Sequence, residues 1–236
     1  MTFYLIGIGL TEEHISVKAI KAIKKCKTVY LEQYTSRGIN LKNLEKIINK
    51  KIEIVDRKFV EKATFLKQAK TKNIALLIIG GVFSATTHID LFQQTKKSKI
   101  KTEIIDNLSI LTAIGITGLS LYKFGATASI PFQNVKSFYD IYKKNKKIGL
   151  HTLFLLDLKE NTMTIKEALN KLIALGLDKN EKVVACSGLA QKQQQIKYST
   201  VKKLLKFKFK KQPSCIIIPG NLHFMEEEVL ELYTIK

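Results

Sequence analysis

Short apolar runs alternate along the chain with longer stretches in which apolar residues recur every three or four positions. The runs predict strands at 2–9, 27–34, 51–55, 73–81 and 100–106, and the longer stretches predict helices at 12–26, 40–50, 58–70, 84–97 and 109–120. Within 12–26, Ile15, Ala19, Ala22 and Ile23 fall near one face of a 3.6-residue repeat. Asn40 stands where the second helix needs a cap, and Ser84 or a neighbouring threonine where the fourth does. Strands separated by helices of this length predict a mostly parallel sheet covered on both faces.

The rhythm breaks in "LYKFGATASIP", with Gly118, Gly125 and Pro131 as punctuation. A second series follows: helix 133–145, strand 150–158, helix 164–176, a strand and turn at 182–190, helix 198–207, strand 214–220 and a closing helix at 226–233. The fold class is therefore α/β, with two α/β domains, 1–112 and 113–236. The halves share no sequence period, so the chain is not a repeat protein. Two such domains are expected to meet over a cleft, a common place for a small ligand.

Composition narrows the classes. A chain of 236 residues, 45% hydrophobic, can bury a sizeable core, and no run approaches the roughly 18 apolar residues of a membrane span. The first residues lack the basic-then-apolar order of a signal peptide. Cys26, Cys186 and Cys215 lie far apart, forming neither a metal-spacing motif nor a disulfide framework. A reducing, cytoplasmic setting with no metal and no membrane is the expectation. The net charge of +20 invites nucleic acid. Against that, Arg37 and Arg57 are the only arginines among 40 basic residues, and the lysines are scattered over the whole length. Bidentate phosphate and guanine recognition favours arginine, whereas dispersed lysines are typical of solvated faces. No nucleic acid is required by this pattern. A basic rim that speeds encounter with an acidic protein is the functional alternative.

In "LIGIGL" a strand runs into Gly7 and Gly9, as a dinucleotide-binding turn does. The third glycine of that fingerprint would fall at Glu12, where a carboxylate disfavours a pyrophosphate, so the dinucleotide pattern fails. A P-loop is absent as well. Other small-residue turns, in "IIGGVFSATTH", "IDNLSILTAIGITG" and "IIIPGNLH", also follow strands. Several such loops at the carboxyl edge of a sheet suit a weakly charged cofactor held by backbone hydrogen bonds.

Taken together, "YLIGIGL", "ATTH", "GITGLSLYKFG", "GLHTLFLLDLK" and "PGNLHFMEEE" resemble the diphthine synthase family, a branch of the tetrapyrrole-methylase superfamily, over nearly the whole chain. The opening turn is shared across the superfamily; "GITGLSLYKFG" with "LHTLFLLDLK" is much more specific to the branch. The resemblance implies two α/β domains with S-adenosyl-L-methionine folded between them, S-adenosyl-L-homocysteine as product, and a homodimer. It also implies methylation, to the trimethylated state in archaeal-type members, of the amino group on a modified histidine of translation elongation factor 2. Carried over by position, the cofactor contacts are Leu10, Gly81, Ser84, Ser109, Ile110, Leu156, Leu189 and Ser214. Three positions depart from the family. Gly80-Gly81-Val82 replaces Gly-Asp-Pro, so an acidic contact is missing; "CSGLAQKQQQ" differs from the usual turn around Leu189; and Ser214 stands where histidine is common. Glu103 and Asp106 are the candidates to replace the lost acid.

No catalytic residue is assigned. A methylated amine must first lose its proton, which makes His14, His88, His151 and His223 candidates as acceptors, although histidines at helix starts and before strands more often orient loops. His14 sits on a charged, exposed helix in this reading. Tyr122 is a candidate to shape the substrate mouth. Two alternatives stand beside the main reading. One is a methyltransferase of the same superfamily acting on ribosomal RNA or a tetrapyrrole; the other is a non-catalytic nucleic-acid-binding protein.

Overall fold

The computed structural model describes residues 1–84, 86–158, 161–210 and 213–235. The chain divides into two compact units, Met1–Leu111 and Thr112–Lys236.

Unit one carries β1 (Phe3–Gly7), α1 (Val17–Lys24), β2 (Thr28–Glu32), α2 (Leu41–Ile48), β3 (Glu53–Val55), α3 (Arg57–Lys62), β4 (Ile74–Ile78), α4 (Ile89–Lys97) and β5 (Thr102–Ile105). The strands form one sheet in the order β3-β2-β4-β1-β5, every pair parallel. Both faces are buried, which is why the strands read as continuous apolar runs rather than alternating ones. Along β1, Tyr4 and Ile6 pack with Ala19, Ile23 and Leu44 on one face. Phe3 and Leu5 pack with Phe65, Leu66 and Leu76 on the other.

Several predicted helices are shorter than expected, each for a local reason. The segment 12–26 divides: Glu12–His14 form a 3-10 turn, and Ser16 caps α1 by accepting the Ala19 N–H at 3.1 Å. His14 is thus on that turn, half-buried, and not on an exposed helix. Neither Ser84 nor a threonine caps α4; His88 takes the cap position without a side-chain bond, and the Thr86 hydroxyl donates to Val82 O at 2.7 Å. The apolar stretch 109–120 gives only α5 (Ile110–Ala113) and a 3-10 turn at Ile114–Thr117, stopped by Gly118 in the left-handed region at φ +84°.

Unit two continues with β6 (Ala128–Ile130), α6 (Ser137–Lys147), β7 (Thr152–Leu156), α7 (Ile165–Ala174), β8 (Lys182–Ser187), β9 (Gln195–Thr200), α8 (Val201–Leu204), β10 (Ser214–Ile218) and α9 (Phe224–Glu231). Its sheet runs β6-β7-β10-β8-β9, and only β6 and β7 are parallel. Two strands were not expected. β6 lies inside the Gly-rich break. β9 takes in the first three residues of the segment 198–207 read as helix, because Ile196 and Tyr198 alternate inward while every residue from Gln195 to Thr200 pairs with β8. Cys186 and Cys215, 29 positions apart, stand directly opposite each other across β8 and β10, reduced and buried. Their mutual hydrogen bond and burial push the Cys186 thiol well up.

At Gly118 a Cβ would lie 2.3 Å from Val229 Cγ1 as well as strain the backbone. Gly118→Ala is expected to cost about 2–5 kcal/mol, left-handed strain and overpacking together. Denaturant unfolding checks this, with partial recovery expected in Gly118→Ala/Val229→Ala.

Candidate functional site

At the carboxyl edge of the unit-one sheet, three turns are laced together. Gly9 donates its N–H to Gly80 O at 3.2 Å, and Gly80 returns the bond to Gly9 O at 2.8 Å. Gly9 (φ +76°) and Gly80 (φ +91°) both need the left-handed conformation that glycine enters freely. Gly7 is a matter of space, since a Cβ there would stand 2.6 Å from Gly80 O. Asn107, from the turn after β5, donates Nδ2 to Gly7 O at 3.2 Å and to His14 O at 2.9 Å. Glu12 faces away from any pyrophosphate role: its carboxylate accepts the Asn40 N–H at 3.4 Å and Asn43 Nδ2 at 3.3 Å, near the start of α2.

This lacing gathers most of the expected unit-one contacts. Leu10 Cδ2 is 3.9 Å from where a Cβ on Gly80 would lie. Ser84 donates its N–H to Gly81 O at 3.4 Å, and its Oγ would be 2.8 Å from a Cβ at Gly81. Ser109, buried, and Ile110, half-buried, follow on the third turn. The three turns are thus tight at Gly7 and Gly81 and open at Gly80. In unit two, Leu156 ends β7, Leu189 follows β8, and Ser214 begins β10. β10 runs antiparallel to both neighbours, pairing Cys215 with Leu155 and Ser214 with Ser187, so all three residues lie at the same edge of their sheet.

The histidines separate by their bonds. His14 Nδ1 accepts the Thr11 N–H at 3.1 Å, and His223 Nδ1 accepts the Met225 N–H at 3.4 Å. His151 Nδ1 accepts the Gly220 N–H at 2.8 Å, while Nε2 sits 3.1 Å from Glu226 Oε1, which identifies the neutral Nε2–H tautomer. These three hold loops. Glu226 is a hub that sequence reasoning missed: nearly fully buried, it accepts the Ser120 N–H at 2.8 Å, the His223 N–H at 2.9 Å and the Lys123 ammonium besides His151. Burial pushes its carboxyl up, but Lys123 and these other donors outweigh it and hold the group well below the usual carboxylate range. Three of the segments that carried the family resemblance thus converge on one carboxylate. The signal was present in their joint occurrence, though no spacing in the chain relates positions 123, 151 and 226. Tyr122 projects from this anchored turn, 89% exposed.

His88 differs. Its Nε2 lies 3.3 Å from Tyr34 Oη and 3.9 Å from Glu32 Oε1, and its Nδ1 has no partner among the described residues. Burial lowers its pKa to about 4, so the ring is neutral. Glu32, also buried at the end of β2, accepts the N–H groups of Tyr34 and Thr35 at 3.1 Å each, and burial raises its carboxyl.

Residues 2–205 match the tetrapyrrole (corrin/porphyrin) methylases, and the chain belongs to that family, as a methyltransferase of its diphthine synthase branch. It is 39% identical to the diphthine synthase of Methanocaldococcus jannaschii, over 96% of each chain. It is 37% identical to the diphthine methyl ester synthase of Dictyostelium discoideum, over 100% of this chain and 99% of that one. A solved diphthine synthase superposes with a TM-score of 0.94 at 30% identity, covering 99% of this chain and 96% of the other.

Because His88 binds its proton far less readily folded than at the ordinary value of 6.5, the unfolded chain holds more protons between pH 6.5 and about 4. Stability is then full above pH 6.5 and falls by up to about 3 kcal/mol on acidification to pH 4. Melting temperature against pH is expected to be shallower across this window in His88→Gln than in the unaltered protein.

Proposed function

We propose that this methyltransferase uses S-adenosyl-L-methionine to methylate, three times, the amino group of the modified histidine of translation elongation factor 2, in diphthamide biosynthesis. We place it in the cytoplasm as a homodimer. The observation that carries the reading is the laced triple turn at the unit-one sheet edge, in a chain of this family. Its small residues and close backbone approach suit a cofactor of modest net charge. Leu10, Gly81, Ser84, Ser109 and Ile110 would hold the cofactor there, and Leu156, Leu189 and Ser214 remain contacts by family resemblance.

When bound, the sulfonium supplies an electrophilic methyl group; the protein's part is orientation and exclusion of water. The acceptor amine has to arrive at the methyl carbon unprotonated. His14, His151 and His223 are committed to loop bonds through their Nδ1 atoms, which argues against them as proton acceptors. The exposed Tyr122 suits an anchor for a protein substrate, since the backbone on either side of it is already held through Ser120 and Lys123 and aromatic side chains carry much of the energy of protein interfaces.

A second reading draws on the Dictyostelium relative, whose name specifies a methyl ester and whose likeness spans both chains almost completely. In that reading a carboxylate is methylated too. Titration calorimetry with S-adenosyl-L-homocysteine is expected to show micromolar binding, about −8 kcal/mol. Absence of heat up to millimolar ligand would remove the cofactor reading. Mass spectrometry of the modified elongation factor then counts the methyl groups; one that is lost in mild base is an ester. Tyr122→Ala is expected to raise KM for the protein substrate several-fold with homocysteine-product binding unchanged, and an unaltered KM would rule out the anchor.

A further inference from the structure

The family's acidic contact is missing at Gly81, yet the backbone there does not demand glycine, because Gly81 is not among the residues with positive φ. What disfavours a side chain is crowding. A Cβ at Gly81 would lie 2.8 Å from Ser84 Oγ, 3.0 Å from Asp106 Oδ1 and 3.2 Å from Asn107 O. The nearby carboxylate comes from just beyond the end of β5. Its Oδ1 accepts the Val82 N–H at 2.8 Å, which fixes it against the Gly-Gly turn, and the residue is exposed. In the sheet order β1 lies between β4 and β5, so Asp106 reaches the turn after β4 past the end of β1. A carboxylate has about four acceptor sites, and the bond from Val82 leaves capacity for a ligand's donors. Glu103 does not compete. It lies within β5, paired with Tyr4, and its carboxylate is 3.6 Å from Lys18 Nζ.

We infer that Asp106 is this chain's acidic cofactor contact, the carboxylate having moved from the turn after β4 to the turn after β5, where it accepts hydrogen bonds from hydroxyl or ammonium donors of the cofactor. The inference rests on the S-adenosylmethionine reading and names a binding residue that the resemblance does not supply. It also accounts for Gly81. With the acid already standing beside the turn, a side chain at position 81 would have to displace Ser84 Oγ and crowd Asp106.

Calorimetry with S-adenosyl-L-homocysteine tests it. Asp106→Asn keeps the shape and an oxygen for the Val82 N–H while removing the charge, and is expected to weaken binding about ten- to a hundred-fold, the range for a charged hydrogen bond. Titration with 5′-methylthioadenosine, which keeps the ribose and lacks the ammonium, locates the donor. An equal loss places the carboxylate on the ribose; a loss confined to the homocysteine compound places it on the ammonium. The exchange Gly81→Asp/Asp106→Gly returns the acid to position 81 and clears the oxygen in its way. It is expected to bind more tightly than Asp106→Gly alone, whereas Gly81→Asp alone is expected to lower both affinity and melting temperature. If folded Asp106→Asn binds both compounds within twofold of the unaltered protein, the inference fails and the cofactor reading survives. If the unaltered protein binds neither compound, the cofactor reading fails and takes the inference with it.

Discussion

Gly9 and Gly80 exchange backbone N–H and C=O groups across the end of β1, and Gly7 sits so close behind them that a methyl group would press on the Gly80 oxygen. Two turns separated by some 70 residues are thereby held at backbone contact. Asn107 binds the third turn to the same point through Gly7 O. Such an approach needs glycine, at Gly9 and Gly80 for the left-handed conformation and at Gly7 for want of space. The positions of Leu10, Gly81, Ser84 and Asp106 all follow from it.

The second unit solves a related problem with charge instead of contact. Its turns at 118–120, 149–150 and 219–223 are irregular, and irregular backbone has polar groups that need partners. Glu226 and His151 supply them from inside the fold. Burying a carboxylate is costly unless its lone pairs are filled and a cation stands near. Here two backbone amides, an imidazole and the Lys123 ammonium meet that condition. An exposed aromatic at Tyr122 can then be held by a rigid base without a core beneath it.

The pattern of apolar positions was sufficient for the elements that are long and periodic. The five parallel strands of unit one, α7 and the strands β7, β8 and β10 all lie within segments it predicts, and α6 overruns its predicted end by two residues. It failed where short elements depend on partners. β9 exists through its ladder with β8 and takes residues 198–200 from the helix expected over 198–207, which shrinks to Val201–Leu204. The predicted first helix divided because Ser16 offers a cap inside a stretch whose apolar period continues across it. The expected parallel habit of unit one does not extend to unit two, where β10 enters between β7 and β8 in the opposite direction.

Composition and period by themselves determined an α/β chain of two domains, and the resemblance of its quoted motifs added the diphthine synthase branch. Those features are local or sequential, and a strand buried on both faces or a glycine turn leaves its mark in neighbouring residues. What only the tertiary structure decided is which distant groups meet: Cys186 with Cys215, Lys123 and His151 with Glu226, and Asp106 with the turn at Gly81. From the sequence Glu103 and Asp106 were equal candidates for the lost acid, three positions apart. One ends up beside Lys18 and the other beside Gly81, because the strand stops between them and the chain turns over the sheet edge only after it has ended.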